Sequence, residues 1–185
     1  MSLFRHAPGS TAAHRLYSGA VNHARCPIYY DALDVPDTPE GRFEILALHV
    51  GLIIRRLLQD GAKGRQVAQA LVDLMVADMD VNLRELGVGD LAVGKQVKRL
   101  AGQLNARMEI LKTAFDGGDH EVLRPMLATN TYHGIAEPSD DHLAHLIRIC
   151  EAIEESLAGQ AVEDLAEGQI QLPDEGALRE VGLSG

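Results

Sequence analysis

The segment from Gly41 to Leu57, GRFEILALHVGLIIRRL, leaves the chain little choice of fold. Phe43, Leu46, Val50, Ile53 and Leu57 recur every three or four residues and form one seam of a helix. Ile45, Leu48 and Leu52 fill a second flank, so only a narrow strip around Glu44, Gly51 and Arg55 is left for solvent. A helix apolar on most of its circumference has to be enclosed by others, which makes this one the centre of the fold. Gly51 in its middle costs about 1 kcal/mol of helix propensity relative to alanine and is best explained by a close approach of another helix. Arg55 and Arg56 fall in the last turns, where the helix dipole favours cations. His49 lies at the edge of the seam with no second catalytic group beside it, and reads as a packed, hydrogen-bonded core histidine.

The flanking sequence supplies the enclosing helices. Ala13, Leu16, Tyr17, Ala20, Val21 and Ala24 give a first amphipathic helix, with Ser10 or Thr11 as its cap and Pro27 as its stop. Thr38 before Pro39 starts the central helix, which is expected to run to about Asp60 and stop at Gly61. A third helix spans about Lys63 to Leu86 and ends at Gly87. Asp90 is placed to cap a fourth, which runs to about Asp116 along the seam Val93, Val97, Leu100, Leu104, Met108, Leu111 and Phe115. His120 to Tyr132 reads as a short helix kinked or split by Pro125, and Ser139 caps a last clear helix carrying Leu143, Leu146, Cys150, Ile153 and Leu157. From Glu163 onward the periodicity fades, and QIQL offers at most a short strand. The expected fold is all-α, a single-domain bundle of about five to six helices with a short, less regular acidic C-terminal tail. Residues 1–12 form a polar leader, 13–135 the main helical domain, 136–160 an additional helix and 161–185 the tail.

Charge narrows the functional classes. The net charge is −10, unevenly spread. Residues 41–112 carry eleven basic and eight acidic side chains, whereas residues 113–185 carry three basic and fifteen acidic ones. A nucleic-acid binder needs a dominant basic face, so no nucleic acid is expected as partner. The longest apolar run, Ile45 to Ile54, is ten residues including His49, against the roughly twenty that span a bilayer. MSLFRHAPGS lacks the apolar segment of a signal peptide, so the chain is expected in the cytoplasm. Cys26 and Cys150 each stand alone and read as free thiols.

The stretch Leu71 to Lys95, LVDLMVADMDVNLRELGVGDLAVGK, is where polarity is concentrated. Ala68, Val72, Met75, Met79, Leu83 and Leu86 define a buried side of the third helix, yet Asp78, Asp80, Asn82, Arg84 and Glu85 crowd the same turns. Asp78, Asp80, Arg84 and Glu85 serve an internal salt-bridge network or the recognition of a partner, or both at once, with Asp78 the best placed for the structural role; Asn82 is a partner-binding candidate beside Asp78, Asp80 and Arg84. Gly87, Gly89 and Gly94 answer backbone needs, a positive φ after a helix or tight packing. Lys95, Lys98 and Arg99 project opposite the fourth-helix seam, as a solvated face or a docking surface.

None of the motifs for chemistry is complete. Gly89 to Lys95 matches seven places of a phosphate-binding loop, but Gln96 replaces the serine or threonine that binds magnesium, and a helix precedes it where a strand is required. Asp78, Asp80 and Asn82 imitate the start of a calcium loop whose glycine is replaced by Leu83. His133, His142 and His145 lack the spacing and company of a metal site. No catalytic residue, metal or cofactor is expected.

The segments GRFEILALHVGLIIRRL and LVDLMVADMDVNLRELGVGDLAVGKQVKRLA resemble the ubiquinol-cytochrome c chaperone family, over about Leu16 to Tyr132 and most specifically in ADMDVNLRELGVGDLAVGK. The resemblance implies a non-enzymatic assembly factor for respiratory complex III that binds newly made cytochrome b. The lack of a mitochondrial targeting extension and the acidic C-terminal region point to a bacterial member, cytoplasmic or peripheral at the inner face of the cytoplasmic membrane. A groove between the second, third and fourth helices would take an apolar segment of cytochrome b or another hydrophobic membrane protein. Arg55, Arg56, Lys95, Lys98 and Arg99 would meet its loops or lipid headgroups. The alternative is a helical module for a small apolar ligand such as a quinone or lipid, in a cavity lined by residues such as Leu48, Leu52 and Met75.

Overall fold

The structure is a computed structural model and describes residues 9–59, 61–85, 87–133 and 138–182. Most of the leader, the expected helix limits at Asp60 and Leu86 and the domain boundary at 135 lie outside those residues. The described chain is helical without strands. It runs α1 (Ser10–His23), a π-helical turn (Ile28–Ala32), α2 (Pro39–Leu57), α3 (Ala62–Glu85), α4 (Asp90–Gly117), a 3-10 turn (His120–Leu123), α5 (Arg124–Asn130), α6 (Asp140–Ala158), α7 (Val162–Ala166) and α8 (Glu175–Glu180).

Helix α2 is the centre, packed by α1, α3, α4, α6 and α7. Ile45, Val50, Leu52, Ile53, Ile54 and Leu57 are all buried. Burying each such side chain is worth about 1.5 to 3 kcal/mol against leaving it exposed, an upper bound for a compact unfolded chain. Gly51 makes the approach its position implied: a Cβ there would lie 2.6 Å from Leu111 Cδ1 of α4. At the helix start, the Thr38 hydroxyl accepts from Gly41 N–H at 3.1 Å. Ser139 Oγ accepts from His142 N–H at 3.1 Å and caps α6 in the same way. Pro125 marks the break between the 3-10 turn and α5, standing in the first turn of the helix where its missing N–H costs nothing.

Several local expectations are corrected. The N-cap position of α1 is Gly9, at φ 90°, and neither Ser10 nor Thr11 caps the helix. Helix α2 ends at Leu57, ahead of Gly61. Asp90 is the first residue of α4 and not its cap; Gly89 holds the cap position. Eight α-helices are described where five to six were expected. The additions, α7 and α8, are five and six residues long. Helices that short complete less than two turns, so a 3.6-residue period has no room to repeat.

The C-terminal region is therefore a strap laid along α1, and QIQL forms no strand in it. Gly168, at φ 84°, lies so close that a Cβ would fall 2.8 Å from the Ala12 Cα. Ile170 fills the notch left by Gly19, His23 bonds the Pro173 carbonyl at 2.7 Å, and α8 packs against the π-helical turn. Leu165, Ala166 and Leu178 are buried in the same core as the longer helices.

Candidate functional site

Helices α3 and α4 have 24 and 28 residues against 19 in α2, about 36, 42 and 28 Å at 1.5 Å per residue. The excess appears at the hairpin between them. The main core reaches Met79 on α3 and resumes at Leu100 on α4; no described residue between those two belongs to it. Val93 is fully buried, but within the hairpin. The two helix ends thus form an arm that packs largely on itself.

The polar residues of the arm divide into two sets. Arg84 donates to Asp80 Oδ2 at 2.6 Å, one turn back, and reaches across the turn to Asp90 Oδ1 at 2.5 Å. It ties the end of α3 to the start of α4. Asp78 accepts from the Tyr17 hydroxyl at 2.8 Å and so anchors the root of the arm to α1; burial and then Asp78 hold the phenol far above its ordinary pKa. Asn82 donates to the Asp78 carbonyl within α3. Asp78, Asp80, Asn82 and Arg84 thus each have a hydrogen-bond partner within the fold. Gly87, at φ 79°, supplies the left-handed residue after α3. Gly89 at φ −64° and Gly94 in the body of α4 have open space where a Cβ would stand, so neither backbone expectation holds for them.

The second set faces outward. Lys95, Lys98 and Arg99 are exposed on α4. Among the described residues the two lysines have no hydrogen-bond or ion-pair partner, and Arg99 meets only Gln96 and Gln103, each at 3.4 Å. Val81 is 50% exposed on α3, with Leu83, Val88 and Val97 half-buried nearby in the arm. Cationic side chains and incompletely covered apolar ones share one element.

Arg55 and Arg56 are not part of that surface. Arg55 pairs with Glu154 of α6 and, at 2.6 Å, with Asp116 of α4. Arg56, only 9% exposed, donates to the Leu157 carbonyl at 3.0 Å and the Gln160 carbonyl at 2.7 Å, satisfying the open end of α6. A further buried cation that the sequence did not single out, Arg107, is 3% exposed and clamps Glu44 with two bonds, one at 2.9 Å. The i, i+3 and i, i+4 pattern places such residues on a face without saying what meets them.

The residues expected to line a central groove or cavity, Leu48, Leu52 and Met75, are buried in the main core, and a cleft of about 330 Å³ near the strap is lined by Gln160, Asp164, Gly168, Gln169, Ile170 and Gln171. His49 is 2% exposed and its Nδ1 lies 2.7 Å from the Ile45 carbonyl, the packed histidine expected. Burial, and then His23, push its pKa down to about 3. His145 bonds the Leu178 carbonyl, while His142 faces Asp34 at 3.8 Å and His133 is exposed. No group of three metal-binding side chains is found among the described residues, and Cys26 and Cys150 are free. Gly94 and Lys95 lie in a continuous helix, which no phosphate-binding loop would be. No helix of the described residues is long and apolar enough to cross a membrane.

Residues 31–172 match the family model described as ubiquinol-cytochrome C chaperone. The crystal structure of the Cbp3 homolog from Brucella abortus has the same fold, with a TM-score of 0.80 and 31% identity over 90% of this chain and 91% of that one. A ubiquinol-cytochrome c reductase complex assembly factor 1 from Mus musculus is 26% identical over 95 residues, 51% of this chain and 32% of its own length. The protein of that name from Xenopus laevis is 23% identical over 112 residues, 60% of this chain and 52% of its own. The chain thus spans a third to a half of the curated relatives it matches.

Proposed function

Because the chain belongs to the ubiquinol-cytochrome c chaperone family, we propose that it is an assembly factor for respiratory complex III that holds newly made cytochrome b by the α3–α4 arm. The family is one of chaperones, which is not an enzyme class. The observation that carries this proposal is the coexistence on the arm of Lys95 and Lys98, unpaired among the described residues, the weakly held Arg99 and the exposed Val81.

A membrane protein at an early stage presents apolar segments joined by charged loops. The complementary surface has an apolar patch with a polar rim. The arm offers exposed Val81 and half-buried Leu83, Val88 and Val97 for the apolar part and Lys95, Lys98 and Arg99 for the polar part, with Asp80, Asn82 and Arg84 close in sequence to Val81 and Asp78 fixing its root. Unpaired lysines are free to meet acidic loops or anionic lipid headgroups without first breaking an internal bond, so a peripheral position at the inner face of the membrane fits the same surface. Leu48, Leu52 and Met75 are packed in the core, which favours a client held on the outside of the bundle.

The test is recovery of cytochrome b with the tagged chain from gently solubilised membranes after cross-linking. Replacing Lys95, Lys98 and Arg99 together by serine should lower recovery several-fold while leaving the helical circular-dichroism signal and the melting temperature unchanged. Unchanged recovery removes the arm from the client-binding surface.

A further inference from the structure

Residues 169–173 of the strap lie along α1 as an extended chain. Gly168 abuts Ala12, Ile170 fills the notch at Gly19, and the Pro173 carbonyl faces His23 Nε2 at 2.7 Å. The eleven-residue step from Ala12 to His23 rises about 16 Å, and the five-residue step from Gly168 to Pro173 covers it only at about 3.3 Å per residue, the spacing of a β-strand. Side chains follow the strand period: Ile170 and Leu172 are half-buried, whereas Gln169 and Gln171 are exposed.

Backbone pairing has the same period. Gln169 donates its N–H to the Asp164 carbonyl at 2.9 Å. Gln171 exchanges two bonds with the Gln160 carboxamide, its N–H to Oε1 at 2.8 Å and its carbonyl from Nε2 at 2.7 Å; the Ser156 hydroxyl donates to that carbonyl at 3.1 Å. A carboxamide set against a backbone in this way stands in for a neighbouring strand. By contrast, the N–H and C=O groups of Ile170 and Leu172 have no partner among the described residues. Successive residues of an extended chain turn their backbone groups to opposite sides, so these four groups form one open edge directed away from Gln160. Such an edge is a template for another chain.

Charge decides what kind of chain. Residues 149–178 contain no lysine or arginine. Glu167, Asp174 and Glu175 are engaged with Lys63, the start of α8 and Arg179, but Glu163 and Asp164 have no side-chain partner among the described residues. Asp164 stands in the cleft of about 330 Å³ that Gln169 and Gln171 also line. A second copy of this chain would set the same carboxylates against each other, which opposes pairing of two copies at this edge. We propose that the open edge of residues 169–172 is a β-addition site for an extended, basic polypeptide segment. Ile170 and Leu172 supply the main-chain bonds, and Asp164 in the cleft meets a lysine or arginine of the added strand. The site shares no residue with the α3–α4 arm and does not depend on what the arm holds.

Amide exchange of the full chain, read residue by residue by NMR, tests the edge. In the free protein the Ile170 and Leu172 amides should exchange near their intrinsic rates, while the Gln171 amide is slowed by its bond to Gln160. The probe is a peptide of about nine alternating lysines and valines. At saturation it is expected to slow exchange at Ile170 and Leu172 by at least about tenfold, with α2 unchanged. Two control peptides are compared by fluorescence anisotropy. The glutamate–valine counterpart reverses the charge, and the lysine–valine peptide N-methylated at every residue keeps the side chains but loses the backbone donors. Each should bind at least about tenfold more weakly than the probe. No binding of the probe at millimolar concentration, equal binding by either control, or protection that bypasses Ile170 and Leu172 overturns the proposal.

Discussion

The arginines at the end of α2 and the basic residues at the start of α4 are alike in sequence and opposite in fate. Arg55 and Arg56 are spent inside the molecule, on the carboxylates of Glu154 and Asp116 and on the open end of α6. Lys95, Lys98 and Arg99 meet no acidic side chain among the described residues. The difference lies in the surroundings: the end of α2 meets Asp116 of α4 and the end of α6, whereas among the described residues the start of α4 lies outside the main core. A cation that already has a partner must give it up before binding anything else; an unpaired one gives up only water. This contrast is why we propose the arm, and not the centre, as the surface that meets the client.

That contrast can be broken from the inside outward. The largest effect is expected for Arg107→Ala, which strands the Glu44 carboxylate in a mostly buried place and should lower stability by about 3 kcal/mol in urea unfolding. Arg56→Ala removes the donor from two carbonyls at the end of α6 and should cost about 2 kcal/mol, with hydrogen exchange rising first around residues 157–160. Thr38→Ala removes the cap of α2 and should cost about 1 kcal/mol in the same assay. The serine triple variant at Lys95, Lys98 and Arg99 should change stability by less than about 0.5 kcal/mol, yet carry the whole loss of client recovery. A large stability loss in that variant would place the arm cations with the structural ones and erase the contrast.

The centre of the fold was legible because its signal is local and repeated. The two-flank pattern of residues 43–57, the caps Thr38 and Ser139 and the close approach at Gly51 all follow from side chains within one or two turns of each other. What stayed hidden depends on distant partners. Arg55 and Arg56 were placed correctly in the last turns of α2, but Glu154 and Leu157 lie 99 and 101 positions away, and nothing in the local pattern names them. His23 gave no sign of its pairing with His49, 26 positions on, or with Pro173, 150 positions on. On the arm, Asp78, Asp80 and Arg84 have partners within the fold, and Tyr17 is one that sequence spacing could not supply. Helices α7 and α8 lacked the length for a period to show.

The most direct measurement is the reduced spectrum of haem b in membranes of the native host lacking this chain, with cytochrome b transcript measured alongside. Complementation with the wild type and with the arm variant completes it. The account predicts that haem b of complex III is lost at normal transcript, that the wild type restores it and that the arm variant does not. Normal haem b without the chain would contradict the role in assembly, and full restoration by the arm variant would contradict the place assigned to it.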